Sequence, residues 1–427
     1  MVRSGNKKSF PHLSNLVEES LCGLSPIQTI MKMTEERKIV KMGLNPKDVI
    51  SFGGGWCNHY APESLRNIYK EIVENKTYFH KSGRYSAIAG NYNCREQLAR
   101  FEEKIYGVKG LKPSNILLGH SSTQLFHDIL RVLCNAGDDI CFLDPTYANY
   151  VNAVKCSLPG SKMSFMPALE SNTWEYLPDP DHSLEVLKRC CDKGARVLVI
   201  PVPDNPTSQI PTDEFLKESL EILEDHDGFL ILDCAYKSLW FGKMPQCFSW
   251  SSIDRPNLIT IHSNSKWLSG LGRRLGWIEA EVNITSGLEK LNESVLLSPD
   301  TMHSMATARF LEKTLDYRTL KSFIDETRRL YEKTAAVMID SIDDCLGWNR
   351  LKPQGGLYTC CPTPEGEEPV GFVERVLKNT GVLLIPGKGF GPSMEQAVRL
   401  SYGPLCYDHE LISEGMERIG CFFKSKC

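Results

Sequence analysis

Apolar residues change their spacing repeatedly along this chain, and the changes mark out its elements. Between about residues 95 and 280, helical and extended patterns alternate. Residues 95–106 read as a helix, 115–118 as a short strand and 123–135 as a helix. Residues 139–143 read as a strand, 184–193 as a helix and 195–201 as a strand. A helix at 213–224 and strands at 229–233 and 257–261 continue the series. Strands separated by helices in this rhythm predict an α/β fold, with a mainly parallel sheet covered by helices. Several strands, such as Val197-Leu198-Val199-Ile200, are apolar without interruption, as burial of both sheet faces requires.

The rhythm changes near residue 325. Residues 321–341 form one long helical stretch with a charged face. Short strands follow at 355–361, 382–386 and 397–402. Val49-Ile50-Ser51-Phe52 is an isolated strand ahead of Gly53-Gly54-Gly55 and is expected to join these later strands. The expectation is a large domain at 61–325 and a second, smaller α+β domain built from 1–60 and 326–427. Proteolysis confined to the termini, with no cut near 325, would count against that division.

Composition narrows the class. A chain of 427 residues with 41% hydrophobic and 24% charged content is long enough to bury a large core and fits a soluble globular protein. A net charge of −4 gives no reason to expect nucleic acid as a partner. No apolar run approaches the roughly 18 residues that span a bilayer, so no membrane is expected. Residues 1–11 are basic but have no apolar core, unlike a secretory signal. The chain has 16 cysteines and no CxxC pair, which argues against a structural zinc site. Buried, reduced thiols in a reducing compartment are expected, which points to the cytoplasm.

Five segments each follow a predicted strand and carry polar groups. Ligands of parallel α/β sheets bind at the carboxyl ends of strands, so these segments are candidates for one site. The most informative is His262-Ser263-Asn264-Ser265-Lys266, with Arg274 eight residues later. A lysine leaving a strand beside small hydroxyl residues and an arginine can hold a phosphate next to a reactive amine. Pyridoxal phosphate bound through the lysine is the cofactor this suggests. Ser263 and Lys266 also spell an SxxK pair, although no SDN or KTG element accompanies it. Gly119-His120-Ser121-Ser122-Thr123 enters a helix and reads as an anion cradle, as a plain helix cap, or as a nucleophile elbow lacking its last glycine. Asp144-Pro145-Thr146-Tyr147 offers an aromatic ring for stacking on a flat ligand, or an ordinary core tyrosine. Pro203-Asp204-Asn205-Pro206-Thr207 fixes an amide between prolines, or is simply a turn. Asp233-Cys234-Ala235-Tyr236 places a carboxylate deep at a strand end, where it needs a cationic partner or must neutralise.

Taken in this order, the segments resemble the fold-type I, PLP-dependent aminotransferases of class I/II. The resemblance runs from about Ser25 to Ser425. Its opening, Leu24-Ser25-Pro26-Ile27 followed by Val49 to Gly55, is similar to the subgroup with aminoadipate, kynurenine and branched-chain or aromatic aminotransferases. The resemblance implies a role for each matched residue. Lys266 matches the Schiff-base lysine and proton carrier. Asp233 matches the aspartate paired with the pyridine nitrogen, and Tyr236 with Asn205 the partners of the ring hydroxyl. Tyr147 matches the stacking ring. Ser122, Thr123, Ser263 and Arg274 match the phosphate ligands. Tyr85 matches a tyrosine that reaches the phosphate of the neighbouring subunit, which implies a homodimer with shared active sites. Arg399 matches the arginine that grips the substrate α-carboxylate, where its fork orients better than a lysine. Gly55 borders the substrate, and Trp56 beside it is a candidate pocket wall or a packing residue.

The implied activity moves an amino group from an L-amino acid to a 2-oxo acid. Another PLP reaction, such as decarboxylation, elimination or oxidation, is the alternative on the same fold. A non-enzymatic regulator would need a DNA-binding module, and the residues before the first matched strand show no such pattern. Two departures from the family stand out. The usual NPTG is here Asn205-Pro206-Thr207-Ser208, and Ser294 stands where dicarboxylate-specific members carry a second arginine.

Overall fold

Uninterrupted apolar runs become the inner strands of one sheet. The computed structural model describes residues 14–20, 26–33, 35–316, 318–364 and 367–424. Leu24 and Ser25 of the opening motif lie outside them, and Pro26 starts the helix Pro26–Met33. In chain order the strands are β1 (Ile50–Ser51), β2 (Ile116–Gly119), β3 (Asp139–Asp144), β4 (Met163–Pro167), β5 (Leu169–Glu170), β6 (Glu175–Tyr176), β7 (Ala195–Pro201), β8 (Phe229–Asp233), β9 (Leu258–Ser263), β10 (Gly276–Glu279), β11 (Tyr358–Pro362), β12 (Val382–Leu383), β13 (Ile385–Pro386) and β14 (Ala397–Ser401).

Seven of these form the central sheet, in the order β2-β10-β9-β8-β7-β3-β4. β10 runs antiparallel to both its neighbours, and the remaining pairs are parallel. The six parallel strands therefore present their carboxyl ends along one edge, and β10 begins at that edge. Helices cover both faces, as the fold expectation required. Leu184, Leu187, Leu216, Leu220 and Leu223 pack on one face, and Phe126, Ile129, Tyr150 and Val154 on the other. Each fully buried leucine or isoleucine contributes roughly 1.5–3 kcal/mol of transfer free energy, so the core is more than adequate to fix the strand ends.

β10 and β4 were not foreseen. Gly276-Trp277-Ile278-Glu279 is short and ends in a carboxylate, which hides a buried strand from a pattern of apolar residues alone. Residues 382–386 divide between two partners. Val382–Leu383 pairs in parallel with Ile50–Ser51, while Ile385–Pro386 pairs with β14. The isolated early strand thus finds its mate more than 300 residues along the chain. A second core gathers around β1, β11, β12, β13 and β14.

One helix, Arg318–Cys345, links the two cores. Its buried positions recur every three or four residues, as an amphipathic helix requires. Leu320 and Ile324 pack into the core of the central sheet, whereas Tyr331, Ala335, Met338 and Ile342 pack into the second core. Residue 325 falls where the helix passes from one core to the other. Among the described residues, no helix is long and apolar enough to cross a membrane. Every described cysteine is a free thiol.

Candidate active site

Strand ends and two distant segments meet around one cavity of about 420 Å³ at the carboxyl edge of the sheet. Ser122, Thr123, Tyr147, Asn205, Asp233, Tyr236, Ser263, Lys266 and Arg274 line it from the central sheet. Gly55, Trp56 and Arg399 line it from the segments bearing β1 and β14. Tyr85 does not. Its ring is 82% exposed and borders a separate surface pocket with Lys81 and Arg84.

One end of the cavity is built for an anion. The chain leaves β2 through Ser121, whose φ of 96° is costly for a residue with a Cβ, and enters the helix Ser122–Leu133. No side chain caps this helix, so its first-turn N–H groups remain available to a ligand. β10 must approach Ser121 closely. A Cβ on Gly276 would stand 2.6 Å from His262 O and 2.9 Å from Ser121 C, so only glycine fits. Arg274, in the left-handed region at φ 46°, lies two residues before that strand. Its Nη1 donates to Leu271 O at 2.5 Å and lies 3.5 Å from Ser265 Oγ.

The two competing nucleophile readings fail on geometry. Ser263 caps the short helix Asn264–Trp267, accepting from Ser265 N at 3.1 Å and donating to Ser265 Oγ at 2.8 Å. Neither bond reaches Lys266, so no SxxK pair forms. No histidine is among the described residues lining the cavity, so a serine at the β2 turn lacks the base of a hydrolase.

The middle of the cavity holds the amine and the carboxylate. Lys266 Nζ donates to Gly55 O at 2.5 Å and lies 5.2 Å from the Tyr236 ring centroid. Asp233 is buried at the end of β8. Its Oδ2 accepts from Tyr150 OH at 2.6 Å and its Oδ1 from Ala235 N at 2.9 Å. Burial pushes the Asp233 carboxyl above its usual range, while those two hydrogen bonds, His262 and Lys266 pull it back. Both hydrogen-bond donors are neutral, so a cation beside the carboxylate would favour its charged form further. Tyr150 was missed from sequence. It lies in the first turn of the helix Asn149–Ser157, just after Tyr147, and the two rings meet edge to face at 5.4 Å. Burial also pushes the Tyr147 hydroxyl up to about 12. Tyr358, likewise missed, places its OH 2.6 Å from Tyr236 OH.

The third part of the cavity centres on Arg399. Its Nη1 donates to Asn205 Oδ1 at 2.9 Å and its Nη2 to Gly53 O at 3.2 Å. The guanidinium carbon stands 4.4 Å from the Tyr358 ring centroid and 5.1 Å from that of Phe390. Arg399 Nε is buried and has no protein partner, which leaves a donor for a ligand. Trp56, 41% exposed, closes the rim. Its ring fills the space over Gly54, where a Cβ would meet it at 2.3 Å.

The Asn205 turn explains one departure from the family pattern. Ser208 replaces the usual glycine yet keeps a positive φ of 57°. Its Oγ accepts from Tyr358 N at 3.0 Å, so the serine anchors the start of β11 to this turn. Asp204 braces the same turn, its Oδ2 accepting from Thr207 N at 3.0 Å and from Thr207 Oγ1 at 2.5 Å. Burial raises the Asp204 carboxyl to about 7, while its Oδ1 has no partner. A carboxyl whose pKa is raised by folding stabilises the fold below its unfolded value and loses that contribution as pH climbs through the folded value. Asp204→Asn is therefore expected to gain melting temperature relative to the parent as pH rises from about 4 to above 7. A difference that stays flat across that range would show that Asp204 does not titrate with folding.

Comparisons with known proteins show the family and the fold. The model of the aminotransferase class I and II family matches residues 47–419, and the chain belongs to that family. An aspartate aminotransferase of Pyrococcus horikoshii is 24% identical over 391 residues, covering 91% of this chain and 94% of that protein. The aromatic-amino-acid aminotransferase 2 of Thermococcus litoralis is 25% identical over 406 residues, covering 94% and 99%. Among solved structures, the aspartate aminotransferase of Thermus thermophilus with maleate superposes with a TM-score of 0.82 at 21% identity, covering 96% of this chain and all of that one. The protein is thus an enzyme of the PLP-dependent aminotransferase type, transferring amino groups. The donor set fits pyridoxal phosphate. An open helix start and Arg274 suit the phosphate, a buried carboxylate with only neutral hydrogen-bond donors suits the ring nitrogen, and an amine suits the aldehyde.

Proposed function

We propose that Lys266 binds the cofactor covalently and carries the proton to and from the substrate Cα. Asp233, held by Tyr150, faces the ring nitrogen, and Asn205 with Tyr236 faces the ring hydroxyl. Tyr147 stacks on the ring, and Ser122, Thr123, Ser263 and Arg274 hold the phosphate. Arg399 grips the substrate α-carboxylate beside Gly55. Pyridoxal phosphate, when bound, supplies the carbonyl carbon that takes up the amino group and a ring that draws electrons from the substrate Cα. The chain's own task is orientation, proton transfer at Cα and exclusion of water. The observation that carries this reading is the meeting of Lys266, Asp233 and Arg399 around one cavity from separate parts of the chain.

Charge counting favours a substrate class. The cations lining the cavity among the described residues are Lys266, Arg274 and Arg399, and each has a task above. Among the described residues of this chain none remains for a carboxylate on the substrate side chain. Met31, Trp56, Leu271 and Tyr358 supply apolar wall instead. The amino donor is therefore an L-amino acid with an uncharged, aliphatic or aromatic side chain. Relatives bear names as different as aspartate and aromatic-amino-acid aminotransferase, so the wall chemistry carries this choice. The test mixes the cofactor-loaded enzyme with single amino acids and follows the visible band. Large neutral amino acids are expected to discharge it fastest; fastest discharge by aspartate or glutamate would contradict the assignment. Release of a 2-oxo acid without an acceptor, beyond one per site, would instead favour the oxidising or eliminating alternative.

The exposed Tyr85 ring supports a homodimer in which it completes the partner's phosphate site. A molar mass of one chain in the active enzyme would exclude that role. Free thiols at the described cysteines support a cytoplasmic location, which cell fractionation tests.

A further inference from the structure

Four ionisable side chains are buried together on the face of β9 opposite Ile261, the residue that pairs with Asp233. They are Glu102, Lys237, His262 and Glu279, and they come from four different elements. Glu102 heads the π-helical segment Glu102–Tyr106. Lys237 follows Tyr236, His262 lies in β9 just before Ser263, and Glu279 ends β10. Lys237 Nζ lies 2.5 Å from Glu102 Oε2 and 4.3 Å from the Tyr106 ring centroid. His262 sits between the two carboxylates, with Nδ1 3.7 Å from Glu102 Oε1 and Nε2 3.4 Å from Glu279 Oε1. Its ring stacks on Trp277 at 4.8 Å with 3° between the planes. Trp277 Nε1 and Thr260 Oγ1 each donate to Glu279, at 2.9 and 3.2 Å.

Glu102, His262 and Glu279 place ligand-type atoms within 4.8 Å of one another, and the Lys237 ammonium already pairs with Glu102 through Oε2. This is an internal ion cluster. Burying such a cluster costs several kcal/mol per ion in desolvation, and an apolar core of the same volume would usually be at least as stable. Stability therefore does not account for it. Its location does, because two members are chain neighbours of residues that line the cofactor cavity, Tyr236 and Ser263.

We propose that Glu102, Lys237, His262 and Glu279 are positioning residues that lock the ends of β8 and β9, so that Asp233, Tyr236, Ser263 and Lys266 meet the cofactor in fixed register. The Lys237–Glu102 bond pins the turn after β8 to the segment Glu102–Tyr106. The His262 ring, its Nε2 2.8 Å from Thr260 Oγ1, stacks on Trp277 and so packs β9 against β10. Burial holds the Glu102 carboxyl above its usual range, and His262 holds Glu279 below its own despite burial. The inference rests on the reading that pyridoxal phosphate occupies the cavity.

The test replaces the ion pair by a neutral pair, Glu102→Gln with Lys237→Met, which leaves neither partner as a lone buried charge. Pyridoxal phosphate is titrated into the apo dimer or monomer as purified, and visible circular dichroism is recorded at saturation. That signal reports how rigidly an achiral chromophore is held in its chiral site, which mere scaffolding elsewhere would not alter. The double variant is expected to melt cooperatively, bind the cofactor about tenfold more weakly and give less ellipticity per bound cofactor, on the scale at which supporting partners tune a bound group. Should it not fold, His262→Gln, which keeps the ion pair, is read by the same two titrations. Parent affinity and parent ellipticity in whichever variant folds would overturn the proposal. Failure of the parent itself to bind pyridoxal phosphate would refute the occupant of the cavity, a separate result.

Discussion

Replacing Lys266 by alanine is expected to lower turnover by at least about 10⁴-fold, the upper range for a single positioned acid–base group. The visible absorbance of the bound cofactor should vanish with it. Lys266 is the one lysine among the described residues lining the cavity, so no other amine there can take over. Lys237 is nearby in sequence terms but is tied to Glu102 within the buried cluster. The substitution removes a partly buried side chain and one hydrogen bond, to Gly55 O, so the fold should survive. Absorbance spectra and single-turnover rates of the purified variant check this. A spectrum like that of the parent would remove Lys266 from its role.

Arg399→Ala carries the second large effect, and a different signature. The cofactor should still bind and absorb, while kcat/KM for the amino donor falls about 100-fold or more, as when one partner of a buried charge pair is cut away at a cost of about 2–5 kcal/mol. The loss is expected mainly in KM if the guanidinium holds substrate and transition state alike. Arg399→Lys should recover only a part. A single ammonium cannot donate in the fixed fork that serves Asn205 Oδ1, Gly53 O and a ligand together. Steady-state kinetics with one neutral amino acid decides it, and an unchanged kcat/KM in Arg399→Ala would move the carboxylate site elsewhere.

Local order in the sequence made much of this legible. β7 and β8 were drawn with the bounds they have, because long apolar runs flanked by turn residues leave little freedom. The lysine, aspartate and asparagine segments converge because each follows a parallel strand, and parallel strands deliver their ends to one edge. What escaped depends on partners far along the chain. Tyr150 reaches Asp233 across 83 residues, and Tyr358 reaches Tyr236 across 122. The His262 cluster combines side chains from four elements, none of which shows a polar pattern of its own. The split of residues 382–386 between two sheets is likewise set by neighbours rather than by their own apolar run. Tyr85, which only the family resemblance connects with a neighbouring subunit, stands exposed outside the cavity.

The central claim is that one lysine at the end of β9 carries the cofactor. Borohydride reduction of the loaded enzyme fixes the cofactor to whatever amine holds it, and digestion followed by mass spectrometry locates that amine. The account predicts a single pyridoxyl-labelled residue, Lys266. A label on Lys237 or any other lysine, with Lys266 unmodified, would contradict it.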